Sequence, residues 1–477
     1  MFVAAGILIL AIPFVCMSFA MTTTSAEKKD LAAWPSLTSD DGSPNLEYLS
    51  EAGDWFDDHF AFRNELVDLD ATIKKTLFGT SATDNVVVGD GGWLYYAGTL
   101  KDYQCTHLMT DHGIRNAAHN LSLAQEYVES QGSSLIVVVP PDKSTLYPQN
   151  MPYYEVAGEG QSNLDRLVPA LSAEGVSYVD LSSALSAAGG TLYFERDSHW
   201  TNAGALVAYN AILDAAGTSH ETYANAAKGT DDTHVGDIDE MLTPLSATAE
   251  SQPSWEAASD WSYTNDASDV TDGFITTSSD VRGANGRLLM FRDSFGNALL
   301  PFMAANYADA TFSKRVPYDI AGGMEDEPDL VVIERTERHL SSFASDPAYV
   351  PAPERQGLSV LRTVCSETTL DVSQNGPYYV LQGTYDDACE AYGENVYLRL
   401  TSPDGTSRTY EAYRVSTGDE TAGDADSASS ATGAEEKTDD GYRAYLSSDV
   451  LESTENLKVD VLIGSGTSLT CIYDVTL

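Results

Sequence analysis

Apolar positions along this chain fall into three regimes. Between Leu46 and Phe78 they recur at threes and fours: Leu49, Trp55, Phe56, Phe60, Phe62, Leu66, Leu69, Ile73 and Leu77. That spacing predicts helix with one apolar face, ended by Gly79. Farther along come short unbroken apolar runs. Leu135–Val139 sits in "SSLIVVVPPDKSTLY", followed by "VSYVDL", by Leu288–Phe291 in "GRLLMFRDSFGNALLPFMAANY", and by "PDLVVIERTERHL". Such runs suit strands covered on both faces. "NVVVGDGGWLYY" reads as two short strands about a Gly-rich turn. Helical stretches alternate with the buried runs, at about Asp111–Gln131, Asn163–Glu174 and after Thr201. Strand–helix alternation predicts an α/β domain with a largely parallel sheet flanked by helices. The polar segment from about Ser219 to Asp280 predicts loops and short helices.

The third regime begins beyond "DPAYVPAPERQG", whose three prolines mark a linker. Alternating stretches such as "YYVLQGTY", "VYLRLTS" and "LKVDVLIG" predict an antiparallel β-sandwich. Ser416–Gly441 is acidic, small and poor in apolar residues, the composition of a disordered insertion between strands. At the other end, Phe2–Met21 carries no charged side chain and is long enough to cross a bilayer of about 30 Å as a helix. A cleaved signal peptide with small residues at Ser18 and Ala20 is the competing reading. The expected organisation is an anchor or signal segment over 1–21, a tether over 22–45 and an α/β domain over 46–345. A linker over 346–357 and a β-sandwich over 358–477 follow, with the insertion at 416–441. The chain after the apolar run is expected outside the cytoplasm, held by an N-terminal transmembrane helix or else secreted.

Charge narrows the partners. Asp plus Glu number 72 against 26 Lys plus Arg, a formal net charge of -46. Such a surface repels nucleic acid and anionic membrane surfaces, which excludes nucleic-acid partners. Hydrophobic content of 43% is that of a globular protein. The five cysteines include no CxxC pair and no Cys/His spacing for zinc, so no metal or other cofactor is expected. One disulfide among Cys365, Cys389 and Cys471 is compatible with an extracytoplasmic location.

Two stretches carry candidate chemistry. In "YFERDSHWTNAGALVAYNAIL", Thr201 can cap a helix, and His199 lies in the turn leading into it. Asp197, two residues earlier, can hold one imidazole nitrogen and leave the other as a base. In "LLMFRDSFGNALLPF", Ser294 occupies the turn between a buried strand and a helix, where side chains rise into an active-site crevice. Amides at that helix start can face a developing oxyanion. No G-x-S-x-G elbow is present. Asn297 is a side-chain oxyanion candidate. Lys143, after the Val139 strand, is a candidate for binding donor or acceptor, and Trp93 for stacking on a sugar. Glu334 and Arg338 read as an ion pair behind the site. His59, with Asp57, Asp58 and Arg63, reads as a structural polar contact. Arg282, Arg287, Arg292, Lys314 and Arg315 are candidates for a local basic patch.

The stretches "DSHW", "RDSFGNALLPF", "DWFDDHFAFRNEL", "VVVGDGGWLYY" and "PPDKSTLYP" resemble the DHHW proteins, part of the SGNH-hydrolase-like alginate O-acetylation group (AlgX/AlgJ-like). The similarity spans roughly Leu46–Leu340. It implies an SGNH-hydrolase-like fold and a triad of nucleophile Ser294, base His199 and orienting acid Asp197. The implied reaction is acetyl transfer to a polysaccharide hydroxyl through an acetyl-serine, or the related esterase reaction. The family's name motif has histidine where this chain has Ser198, while Trp200 matches and is expected beside the imidazole. A polysaccharide acceptor and a membrane-bound acyl-transporting partner are implied as well. The alternative of another class is a non-catalytic glycan-binding or scaffold protein of polysaccharide assembly.

Overall fold

Among the described residues eleven strands precede residue 335: β1 (Val86–Val88), β2 (Leu94–Tyr96), β3 (Ser134–Val138), β4 (Tyr178–Val179), β5 (Gly229–Val235), β6 (Ala249–Ser254), β7 (Ser262–Tyr263), β8 (Phe274–Ser278), β9 (Arg287–Phe291), β10 (Asp309–Ser313) and β11 (Leu330–Glu334). The structure is a computed structural model that describes residues 11, 12, 15–17, 19, 21, 22, 31–39, 42–158, 160–281, 283–364, 366–417, 438–448, 450, 451 and 454–477.

Seven of these strands form the central sheet, in the order β4-β3-β11-β9-β10-β8-β7. The pairs from β4 to β10 are parallel, whereas β10–β8 and β8–β7 are antiparallel. The sheet is therefore mixed: largely parallel, as expected, from β4 to β10, with an antiparallel edge that was not expected. The antiparallel edge comes from the Ser219–Asp280 segment, read from sequence as loops and short helices. It holds β5 to β8, and β5 pairs with β6 as a separate hairpin. In β8 only Ile275 and Thr277 are buried, and Phe274 is exposed, so the apolar signal is too thin to read as a strand.

The apolar runs of β3, β9 and β11 are covered on both faces. Leu135, Val137, Leu289, Phe291, Val331 and Ile333 pack with the helices Asp111–Ser130 and Asn163–Ala173. Ile136, Val138, Leu288, Met290, Leu330 and Val332 face the helices Asn202–Ala215 and Gly296–Asn306. Alternation along each strand thus splits one continuous run between two layers. Thr110, Ser162 and Thr201 cap three of these helices with their hydroxyls.

The strands β12 (Ser359–Thr363), β13 (Asp371–Asn375), β14 (Tyr378–Thr384), β15 (Asn395–Thr401), β16 (Ser407–Thr417), β17 (Thr438–Ser447), β18 (Lys458–Ser465) and β19 (Ser468–Thr476) form the C-terminal sheet. Their order is β12-β19-β18-β15-β16-β17-β14-β13, antiparallel except for β12–β19. The long β16 pairs with β15 through its first half and with β17 through its second. Side chains from both halves, among them Leu398, Val461, Leu381 and Ala444, share one core. Ser416, Thr417 and Thr438–Gly441 belong to β16 and β17, which shortens the expected insertion; residues 418–437 lie outside the described residues. The proline-marked stretch is held against this sheet, with Ala352 N–H donating to Tyr445 O and Arg355 N–H to Thr409 O, both at 2.8 Å.

Two expectations at the N-terminus meet different outcomes. The periodic stretch from Leu46 forms helices Tyr48–His59 and Arg63–Ile73, continued by a wider turn over Lys74–Phe78, with a break at Phe60–Phe62. Most of the expected membrane span at Phe2–Met21 lies outside the described residues. Among the described residues no helix is long and apolar enough to cross a membrane. Cys389 and Cys471 are free buried thiols, not a disulfide pair, and Cys365 lies outside the described residues.

Candidate active site

β9 ends at Phe291, and the chain turns through Arg292, Asp293 and Ser294 before the helix Gly296–Asn306. Asp293 fixes that turn. Its carboxylate accepts from Phe295 N–H at 2.9 Å, from Thr336 N–H at 2.9 Å and from the Thr336 hydroxyl at 2.5 Å. Burial opposes its ionisation, but Arg338 and these hydrogen bonds outweigh burial and hold the carboxyl well below its usual range. The turn thereby presents the Ser294 hydroxyl on the side from which the Asp197–Thr201 loop approaches.

The approach is close. His199 Nε2 lies 2.7 Å from Ser294 Oγ, and His199 Nδ1 lies 2.7 Å from Asp197 Oδ1. Three candidates far apart in sequence therefore form one hydrogen-bonded chain. Exposure grades along it: the Asp197 side chain is 3% exposed and that of His199 24%, so the acid is sealed while the base reaches the surface. Phe295 packs its ring 4.8 Å from the imidazole, and Trp200 packs edge-on against Phe295 while donating its indole N–H to Phe295 O at 3.0 Å. Trp200 thus supports His199 through Phe295.

Asp197 is saturated with donors. Besides His199 Nδ1 it accepts from the His199 N–H at 2.8 Å, from His234 Nε2 at 2.8 Å and from the Asp237 N–H at 3.0 Å. Burial pushes its pKa up, yet the two imidazoles and the amide dominate and hold it well below the carboxylate range. For His199 burial works to lower the pKa, and the Asp197 hydrogen bond and charge, aided by Asp237, raise it above the ordinary imidazole value. His234 is raised in the same way, and its ring stacks on Phe194 at 4.0 Å. Asp237 is shifted upward by burial and by the charge on Asp197. Its carboxylate accepts from the Ser198 hydroxyl at 2.5 Å and stands 3.6 Å from His199 Nδ1. His234 and Asp237 were not found by sequence reasoning. Their only signal is a histidine and an acid three residues apart in a polar segment, a spacing with little specificity.

Among the described residues Asp197, His199 and Asp237 bring ligand-type atoms within 4.8 Å of one another, the size of a metal site. The atoms are already satisfied internally, since Nδ1 faces Asp197 and the Ser198 hydroxyl bridges to Asp237. A cation there would displace the bond that orients the base.

The remaining candidates sit around this chain of bonds. Lys143 is 4% exposed, and its ammonium donates to the carbonyls of Phe194 at 3.2 Å, Glu195 at 3.1 Å and Asp197 at 2.6 Å. Burial lowers its pKa to about 8. With its three protons directed at carbonyls, Lys143 braces the Asp197 loop from behind. Trp93 is buried, tilted against Tyr147 at 4.8 Å, with the Lys143 ammonium 5.7 Å from its ring centre. Asn297 stands partly exposed in the first turn after Ser294, its Oδ1 accepting from Arg292 Nη1 at 2.5 Å. A guanidinium only donates, so this bond fixes the amide orientation and leaves Asn297 Nδ2 as a donor.

Glu334 and Arg338 are not the ion pair read from sequence. Glu334 accepts the Asp293 N–H at 2.9 Å, and burial raises its pKa. Arg338 reaches Asp142 at 3.4 Å and lies 5.6 Å over the Phe295 ring. It also borders a cavity of about 350 Å³ lined by Lys101, His107, Asn163 and Ser341. The expected basic patch is spent on internal contacts, with Lys314 donating to Thr271 O at 2.9 Å beside Arg292. Arg292 is buried on the carbonyls of Val270 and Asp272, Arg315 pairs with Asp319, and Arg287 meets Asp309 and Glu327; Arg282 lies outside the described residues. His59 bonds the Trp55 carbonyl at 2.8 Å, a contact within its own helix.

Comparison with known proteins bears on the domain that holds part of this site. Residues 86–281 match the family described as SGNH hydrolase-like domain, acetyltransferase AlgX, a stretch that contains Asp197 and His199 and ends before Ser294. The probable alginate O-acetylase AlgJ of Pseudomonas syringae pv. tomato is 28% identical over 208 residues, which are 43% of this chain and 48% of that protein. The protein of the same description from Azotobacter vinelandii is 27% identical over 157 residues, 32% of this chain and 38% of that one. This chain thus spans about half the length, or less, of the curated relatives it matches. Among solved structures, Bacillus cereus PatB1 is 16% identical with a TM-score of 0.45, covering 54% of this chain and 98% of that one. A DHHW family protein from Eubacterium siraeum is 17% identical with a TM-score of 0.41, covering 54% and 93%. Over residues 86–281 the chain is similar to the SGNH hydrolase-like domain of the alginate O-acetylation proteins, the group its sequence motifs resemble.

Proposed function

We propose that this protein is an extracytoplasmic O-acetyltransferase acting on a cell-envelope or exopolysaccharide glycan. The observation that carries the reading is the unbroken sequence Ser294 Oγ, His199 Nε2, His199 Nδ1, Asp197 Oδ1, with 2.7 Å at each hydrogen bond. Two relatives named as probable alginate O-acetylases support acetyl transfer to polysaccharide as the class of reaction.

The steps follow from the geometry. His199 Nε2 takes the Ser294 proton as Oγ attacks the carbonyl carbon of an acetyl donor. The tetrahedral oxyanion is met by donors at the helix start, with the Ser294 N–H and Asn297 Nδ2 as candidates, since the Phe295 N–H is committed to Asp293. Collapse expels the donor's leaving group, which takes the proton from His199, and leaves acetyl-Ser294. A sugar hydroxyl then gives its proton to His199 and attacks the acetyl carbon, and Ser294 Oγ leaves with that proton from His199 as the ester forms. Asp197 keeps the imidazole in the tautomer with hydrogen on Nδ1 and offsets the charge of the imidazolium. Acetyl-coenzyme A is cytoplasmic, so an acyl-transporting membrane partner is the proposed source of the donor. The apolar run Phe2–Met21 is the proposed anchor beside it.

Replacing Ser294 by Ala is expected to lower acetyl release from p-nitrophenyl acetate by several orders of magnitude in kcat, up to about six. It should also remove the acetyl adduct from the Ser294 peptide in mass spectra of the quenched wild-type reaction. Retention of wild-type turnover by Ser294→Ala would sink the assignment. Release of free acetate in the presence of glycan, with no ester on the glycan, would make the protein an esterase.

A further inference from the structure

The helical stretch from Arg63 to Phe78 is turned the opposite way from an ordinary surface helix. Arg63, Asp68, Ala71 and Lys75 face inward. Arg63 approaches Asp58, Lys75 pairs with Asp239 at 3.0 Å, Asp68 accepts from the amides of Leu245 and Ser246, and Ala71 is fully buried against Val86, Leu94, Ile238 and Leu242. At about 100° per residue these positions centre on one side of the helix, and Phe62, Leu66, Leu69 and Ile73 on the other. The outer residues are 37, 42, 54 and 40% exposed, and Leu77 and Phe78 extend the stripe at 73 and 69%. A helix that spends its charges on docking and leaves its apolar face in water is built to be covered.

Where the chain enters this region says what covers it. The charge-free run ending at Met21 is followed by Thr22, whose N–H donates to His59 O at 3.2 Å and whose hydroxyl donates to Phe60 O at 3.0 Å. The apolar run therefore leaves the fold at the turn that opens the stripe, two residues from Phe62. A bilayer entered by that run would lie beside the stripe, borne on the 16 helical residues Arg63–Phe78, which extend about 24 Å. An apolar helix face at that position suits the boundary between headgroups and acyl chains. Exposed Glu65 flanks the stripe, while Asp70 on its other border pairs with Lys74 at 2.7 Å, so the rim carries no net positive charge and the fitting surface is zwitterionic rather than anionic.

We infer that the Phe62–Phe78 stripe lies on the lipid bilayer surface and sets the orientation of the protein above it. The inference rests on the proposed anchor. The full chain carrying Leu69→Cys, spin-labelled and reconstituted in phosphatidylcholine vesicles, tests it, with Glu129→Cys as an aqueous reference and the unsubstituted chain as a labelling control. At position 69, oxygen accessibility is expected to be at least threefold higher, relative to that of a soluble nickel chelate, than at position 129. An equal ratio at the two positions overturns the inference. So does dipolar broadening that grows with the protein-to-lipid ratio, which would mean that a second copy covers the stripe. So does loss of accessibility to both reagents, which would mean burial under protein, including the apolar run folded back. A carbonate wash reads the anchor separately: a retained chain with an aqueous label fails the stripe alone, and a released chain that carried a lipid-exposed label fails the anchor alone.

Discussion

Asp197 serves two imidazoles at once. His199 Nδ1 occupies one oxygen at 2.7 Å and His234 Nε2 the other at 2.8 Å, so protonation of either ring weakens what the carboxylate offers the other. His234 is raised above the ordinary imidazole range, burial notwithstanding, by its hydrogen bond to Asp197, and the charge of His199 works against it. On the proposed mechanism His199 must be neutral to take the Ser294 proton, so the rate is expected to rise with pH through the pKa of His199, itself raised. Removing the His234 charge leaves Asp197 acting on His199 alone and raises that pKa further. His234→Gln keeps a donor within reach of Asp197 Oδ2 and removes the charge. The acid limb of the kcat/KM profile for acetyl-ester turnover is expected to move toward higher pH by about half a unit or more, with the alkaline plateau reduced less than tenfold. An unmoved acid limb with a lowered plateau would reduce His234 to a packing role.

At the scale of elements, the site depends on two backbone segments pressed together without side chains between them. The loop from β5 to the helix Asp237–Leu242 crosses the Asp197 loop at Gly236. A Cβ on Gly236 would stand 2.6 Å from the carbonyl carbon of Arg196 and 2.9 Å from the amide nitrogen of Asp197. Gly236→Ala must push the loops apart and lengthen the hydrogen bonds of His234 and the Asp237 N–H to Asp197. The expected result is a loss of about 1–3 kcal/mol in stability and a fall in kcat of about tenfold or more, with KM little changed. Denaturant unfolding together with steady-state kinetics checks both, and a variant with normal kcat would mean that the crossing does not position the acid. Nothing in the sequence marks this crossing, because Gly236 lies in a segment without periodicity. What was legible followed from strong local patterns. The runs at β3, β9 and β11 are apolar because two layers cover them, and Asp197, His199 and Ser294 stand at turns whose caps and strand ends can be read residue by residue. Illegible features depended on long-range docking. Lys143 looked available until its ammonium met three carbonyls, Glu334 and Arg338 each found other partners, and the Leu66–Ile73 periodicity predicted helix without telling which face turns outward.

Across the whole molecule, the α/β sheet and the C-terminal sheet share a core in which Phe343 and Ala344 meet Tyr413 and Tyr445. A polar cluster beside that core ties the two parts by charge. His119, on the helix Asp111–Ser130, hydrogen-bonds Glu174 of the same part through Nδ1 at 3.2 Å, and its Nε2 stands 3.2 Å from the carboxylate of Glu411 on β16. Arg355 donates from Nε to Glu411 at 2.6 Å and from its two terminal guanidinium nitrogens to Glu126. Burial alone would lower the pKa of His119, but the two carboxylates prevail and raise it to about 9. Because the folded value exceeds the unfolded one of about 6.5, the stabilisation is complete below pH of about 6.5 and disappears as pH rises through about 9. Glu174 and Glu411 shift downward, so their share is present above their unfolded pKa and is lost on acidification. The window of full strength therefore lies in weak acid, and from it to pH of about 9.5 the protein is expected to lose about 3 kcal/mol. His119→Gln should flatten that slope while leaving the acid side to the carboxylates. Hydrogen exchange at Tyr410–Arg414 followed against pH in both proteins tests the clamp: wild-type exchange that does not accelerate above pH 8 relative to the variant would mean that the shared apolar core, and not His119, holds the two sheets together.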